Sequence, residues 1–345
     1  MLQSALPFFT CFVIYCGICN AAEPVLNLQL AKTTTISKKD SAEVMGAIVV
    51  PQKGVVIWDF DLTKRPPDNR IQLYGNDGNL IRQIGESGRG PGKYSILQGV
   101  SIDDKSVLWV ADAGQRRISR FGLDGALLGS DIIMNPTLSA DSILLRPDQN
   151  KKYVGGCLAK DGMAMKGCLG LVHEYELNSG KFLRSFISTT EDKQWIEKHH
   201  SRMQQVLIDS ETPAALYVSD RASSGFWIVD IPSGTSHFIK IPGMPILPDM
   251  NEVDEARKAW DTLQTISHIF QIKGDIYIGL RTPTTKGVST QVLKFTSKGQ
   301  LLARTGHSPG MLVGRSRTGN LFFAKKTSTG VTILEMTAAV GKARN

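Results

Sequence analysis

The chain has 345 residues, with 40 Lys and Arg against 32 Asp and Glu and a formal net charge of +8. The cations are spread over Lys64-Arg65, Arg116-Arg117, Lys151-Lys152 and Lys325-Lys326, and no block of five or six like charges marks a polybasic tail. Of the five cysteines, Cys11, Cys16 and Cys19 lie near the start, which leaves too few for a zinc site built on cysteine alone. The basic balance suits either an anionic partner or plain solubility.

Residues 1–22 contain no Lys, Arg, Asp or Glu, and residues 6–18 are apolar. That run is short for a bilayer span of about 20 residues. It leads into Cys19-Asn20-Ala21-Ala22, small residues that a signal peptidase could cut. The expectation is a cleaved signal peptide over residues 1–22, rather than an uncleaved anchor. Residues 23–345 would then form a periplasmic or secreted domain with no transmembrane segment. Ile18 before Cys19 does not make a lipobox, and export argues against a nucleic-acid partner.

Residues 25–30, VLNLQL, alternate apolar and polar without a local partner. Strand-like runs with turn signals between them then recur in six groups, over residues 44–84, 85–130, 143–186, 203–241, 268–304 and 311–336. The second group is the clearest: GESGRGPGKY leads to an apolar run, then SVLWVAD, then RRISRF. This rhythm resembles one blade of an NHL-repeat β-propeller, in which a G-x-G-P-G loop precedes the inner strand and V-A-D ends the next. The resemblance implies an all-β, six-bladed propeller. The sixth group has only three strand-like runs, so residues 25–30 are expected to pair with residues 331–336 as its outer strand. That closure of the last blade by both chain ends would hide exposed strand edges.

Two stretches break the β pattern. Residues 191–205, with Trp195, Ile196, His199 and Met203, and residues 251–266, with Val253, Ala256, Trp260, Leu263 and Ile266, have helical spacing. They predict two helical insertions between blades. With the loop at residues 85–94 and the hairpin between Cys157 and Cys168, they should crowd one face. Cys157 and Cys168 are expected to form a disulfide in an oxidising compartment. Arg89, Lys93, Lys160, Lys166 and Arg202 would make that face basic, a candidate site for a protein or an anionic envelope or extracellular ligand.

The glycine loop lacks the Lys-Ser/Thr ending of a phosphate-binding loop, so structural turns are the reading preferred for it. Asp59, Asp112 and Asp220 each end a second strand, a repetition that points to turn architecture. Arg117 is expected to pair within or between blades. His199, His200, His268 and His307 could share the helix-bearing face. The peptide-amidating lyases, NHL-like propellers with a histidine metal cluster, offer a precedent whose motifs do not match here. Gluconolactonase-type propellers hold a divalent cation on the axis with Glu, Asn and Asp, and Glu43, Asn135 and Asp141 occupy only vaguely suitable regions. No G-x-S-x-G elbow occurs, and Met163 and Met165 read as packing residues. The expectation is a binding or scaffold module without a cofactor. The alternative is an enzyme of lyase or lactonase type with a divalent metal on the axis.

Overall fold

The computed structural model describes residues 24–37, 43–61, 68–112, 114–115, 117–133, 142–146, 149–156, 170–188, 206–220, 223–245, 263–285, 287–316, 318–327 and 330–341. Strand β1 (Val25–Ser37) precedes a first sheet of β2 (Glu43–Val50), β3 (Gly54–Asp61), β4 (Asp68–Tyr74) and β5 (Leu80–Gln83). A short parallel pair, β6 (Glu86–Ser87) and β7 (Lys93–Tyr94), sits in the glycine loop. The second sheet is β8 (Leu97–Ile102), β9 (Leu108–Asp112), β10 (Arg117–Phe121) and β11 (Ile132–Ile133). The third is β12 (Ser142–Arg146), β13 (Lys151–Gly155), β14 (Val172–Glu176) and β15 (Phe182–Phe186). The fourth is β16 (Val206–Asp209), β17 (Ala215–Asp220), β18 (Gly225–Asp230) and β19 (Ser236–Lys240). The fifth is β20 (Thr265–Ile272), β21 (Asp275–Thr284), β22 (Gly287–Phe295) and β23 (Leu301–Arg304). The sixth is β24 (Met311–Arg315), β25 (Leu321–Thr327) and β26 (Gly330–Gly341), completed by β1.

The second strand of each sheet shows why the ring forms. Its side chains alternate between two sheet faces, and both faces are buried because each sheet packs between two others. Leu108 and Val110 pack toward the first sheet, whereas Trp109 packs toward the third. Leu216 and Val218 likewise join the third sheet's core, and Tyr217 the fifth sheet's. A separate apolar core fills each interface, including one between the sixth sheet and the first. The six sheets therefore close into a ring.

β1 closes the last blade, with a different register from the one expected. Leu30 pairs with Met336 and Ile36 with Val331, so residues 331–336 receive residues 30–36. Residues 25–29 run beside residues 337–341 instead, because β26 overhangs β25, which ends its pairing at Met336. Val25 also pairs in parallel with Arg304 of β23, joining the fifth and sixth sheets into one eight-stranded sheet.

No α-helix occurs among the described residues. The helix expected over residues 251–266 does not extend to its predicted end. Thr265 and Ile266 instead open β20, where they pair with Arg281 and Leu280 and bury Ile266. The rest of that stretch and all of residues 191–205 lie outside the described residues. The second blade also runs past residue 130, since its outer strand is Ile132–Ile133. No helix among the described residues is long and apolar enough to cross a membrane.

Candidate functional site

Each blade's first strand is an edge of its sheet, and residues from all six of these strands line one cavity of about 600 Å³ on the axis. That volume is in the range of small-molecule sites. Inner strands in the first, second and fifth blades each carry a bulge, leaving Met45, Gln98 and Ser267 without a paired position. The pairs that follow are Gly46 with Trp58, Gly99 with Ala111, and His268 with Gly279. A bulge re-aims the side chain beside it.

Size is traded across these pairs. A Cβ on Gly46 would lie 2.0 Å from the Trp58 ring, so the bare glycine lets the indole cross the inner strand and line the channel. The fifth blade reverses this arrangement: His268 is on the inner strand, its ring stacked on Phe270 at 5.6 Å, and Gly279 stands opposite. Gly99 occupies the blade across the ring from His268. The channel is thus aromatic on the side of the first and fifth blades and lined by small groups at Gly99 and Ser142.

At the other end of the inner strands, charges hold the blades together. Arg315 of the sixth blade donates to both oxygens of Asp209 in the fourth, at 3.0 and 3.1 Å, and to Glu211 at 3.1 Å. Asp209 also accepts the Gln271 amide at 2.7 Å, and Glu211 accepts that of Lys273 at 2.6 Å. Burial alone would lower the Arg315 pKa, but the two carboxylates outweigh it and hold the guanidinium above its ordinary value. Arg146 donates to the Ser210 carbonyl at 3.2 Å. Asp103 accepts the amides of Lys105 and Val107 and the Trp109 indole N–H. These residues do not fit a carboxylate-held axial cation. Among the described residues, no three His, Cys, Asp or Glu side chains gather closely enough to hold a metal ion.

The glycine loop is a structural clamp. Gly85, Gly88, Gly90 and Gly92 all have positive φ, which glycine adopts without a Cβ penalty. Arg117 pairs with Asp131 at 2.6 Å and donates to the carbonyls of Gly90 and Lys93. Gln115 donates to Gly88 and Lys93 and accepts from the Gly90 amide. Asp112 accepts from the Gln115 amide in its turn and from Ser95 and Ile96, and Asp59 pairs with Arg70 at 2.9 Å. Both carboxylates are therefore architectural.

Arg89 is exposed in this loop, and Lys93 pairs with Glu86 at 3.1 Å. His268 lines the channel, whereas His307 is exposed on the connection from the fifth blade to the sixth and bonds to Ser289. Lys160, Lys166, Arg202, His199, His200, Cys157, Cys168, Met163, Met165, Asn135 and Asp141 lie outside the described residues, and Glu43 opens β2. Trp58, Phe270, Asp209, Glu211 and Arg315 escaped the sequence reading. The only signal for Trp58 was a large aromatic opposite a glycine, visible once the strands are registered.

The third blade holds two more buried polar centres. His173 lies between the Gly156 carbonyl and the Ser185 hydroxyl, both at 2.8 Å. A carbonyl only accepts, so Nε2 carries the proton and Nδ1 accepts from Ser185. Burial pushes the imidazole down to about 4. Glu174 is buried against Lys151 and Arg184; burial raises its carboxyl, but these cations outweigh it and hold the carboxyl below its usual value.

A family model described as 6-bladed beta-propeller matches residues 66–138. The chain is a six-bladed β-propeller. NHL repeat-containing protein 3 of Homo sapiens is 38% identical over 64 residues, covering 18% of this chain and 18% of that protein. The propeller therefore spans less than a fifth of that relative's length in the match. Among solved structures, a member of the duf4221 family from Bacteroides vulgatus superposes with a TM-score of 0.62 at 11% identity, covering 92% of this chain and 99% of that one. A gluconolactonase from Xanthomonas campestris superposes with a TM-score of 0.53 at 15% identity, covering 92% of each chain. At these identities the likeness is one of fold.

Proposed function

We propose that this propeller is an extracytoplasmic binding module whose ligand enters the axial channel from the face that carries residues 85–94. The observation that carries this reading is the 600 Å³ channel, whose charged lining residues all have protein partners. Catalysis by acid and base needs groups poised for a substrate, whereas here Asp209 and Glu211 are both tied to Arg315. The extracytoplasmic reading rests on the apolar run of residues 6–18 within the uncharged segment 1–22.

A fragment library screened by ligand-observed NMR tests the reading. Hits that saturate one site and displace one another are expected, because they share one cavity. The account fails if hits do not compete. It also fails if binding is salt-sensitive and lost when Arg89, Lys93 and Lys166 are reversed in charge, which would place an anionic partner on the loop face. Metal analysis of the purified protein separates the remaining alternative: a stoichiometric divalent ion would shift the reading to a metal-dependent propeller enzyme.

A further inference from the structure

The asymmetry of the channel defines what it can hold. Trp58, His268 and Phe270 line the channel on the side of the first and fifth blades, the last two stacked on each other, and Gly99 adds no side chain on the blade opposite His268. The same lining contains four carboxylates, Asp103, Asp104, Asp209 and Glu211, against the two guanidiniums of Arg146 and Arg315. Although the chain as a whole carries +8, its axis is formally acidic. An anion entering this channel would meet like charge, whereas a cation is favoured by the field.

Resting on the binding-module reading, we infer that the channel ligand is a cationic aromatic amine, its ring laid against Trp58 and His268. Trp58 is the main determinant, because its indole reaches the axis only across the bare Gly46. His268 sets the opposite edge of the slot. In the first and second blades the matching positions are glycines facing Trp58 and Ala111, so the strand accepts a bare residue there, although in the fifth blade the opposite residue is Gly279.

The test uses three probes with one ring and different charges: tryptamine, indole and indole-3-acetate, titrated calorimetrically into the full chain. Tryptamine is expected to bind at least about tenfold more tightly than indole-3-acetate, because the field of the acidic lining favours its ammonium and opposes the carboxylate. Trp58→Leu should weaken tryptamine about tenfold, and His268→Gly should weaken it while leaving the melting temperature near that of the wild type. Equal or tighter binding of indole-3-acetate overturns the inference. So does a folded Trp58→Leu variant that binds tryptamine unchanged; if that variant does not fold, His268→Gly decides alone. If none of the three probes binds while other fragments compete for one site, the module reading stands and this inference falls. If nothing binds at all, both fall.

Discussion

Lys152 is buried at a position that aliphatic side chains fill in the other blades. It pairs with Leu145 and Tyr175 in the third sheet; Val55, Leu108, Leu216, Ile276 and Leu321 hold the corresponding places. Its amine lies 5.6 Å from the Tyr175 ring, and burial pushes its pKa down to about 8. Between pH 8 and the ordinary value of 10.5 the unfolded chain binds more protons, so stability should rise with pH across that window. Below pH 8 both states are protonated and the full penalty, on the order of 3 kcal/mol, persists. Lys152→Met is therefore expected to raise the melting temperature at pH 7 and to remove the rise on the alkaline side. A variant that melts lower at pH 7 would contradict this. His173 works on the acid side. Its folded value of about 4 lies below the 6.5 of the unfolded chain, so stability is lost as pH falls through that window. Urea midpoints between pH 6.5 and 5 should fall for the wild type and stay flatter for His173→Gln. Parallel curves would show that His173 titrates alike in the folded and the unfolded chain.

At the scale of elements, two local devices fix the ring. β1 pairs along its whole length with β26 and places Leu26 in the core between the fifth and sixth sheets. Deleting residues 23–31 exposes that core and a strand edge, and should cost several kcal/mol, at about 25 cal/mol per Å² of apolar surface. A truncated chain that melts with the full-length protein would refute this. The second device is the clamp on the glycine loop. Arg117→Met leaves Asp131 without its ion pair and frees the Gly90 and Lys93 carbonyls. Trypsin should then cut faster after Arg89 and Lys93, with destabilisation of about 1–3 kcal/mol. An unchanged cleavage rate would show that Gln115 and Asp112 hold the loop by themselves.

At the scale of the molecule, the ring was legible because strand alternation and turn signals repeat locally. The clamp was legible only in part: Asp112 was expected as a turn residue and Arg117 as a pairing cation, whereas Gln115 and the loop carbonyls at Gly88, Gly90 and Lys93 lie in separate stretches of sequence and meet only in the folded blade. The channel was not legible. Arg315 and Asp209 are 106 positions apart and meet only through the order of blades in the ring. The Gly46 and Trp58 exchange depends on a one-residue bulge, which no periodicity shows. The closure register was missed because the length of β26 beyond its partner is set by tertiary pairing.

The six inner strands are sheet edges, each with a neighbouring strand on one side only. Hydrogen exchange, measured with and without the tightest-binding compound of the fragment screen, therefore tests the channel directly. The account predicts slowed exchange in Leu97–Ile102, Ser142–Arg146 and Thr265–Ile272, with the outer strands unchanged. Protection confined to residues 85–94 and the outer strands would contradict it.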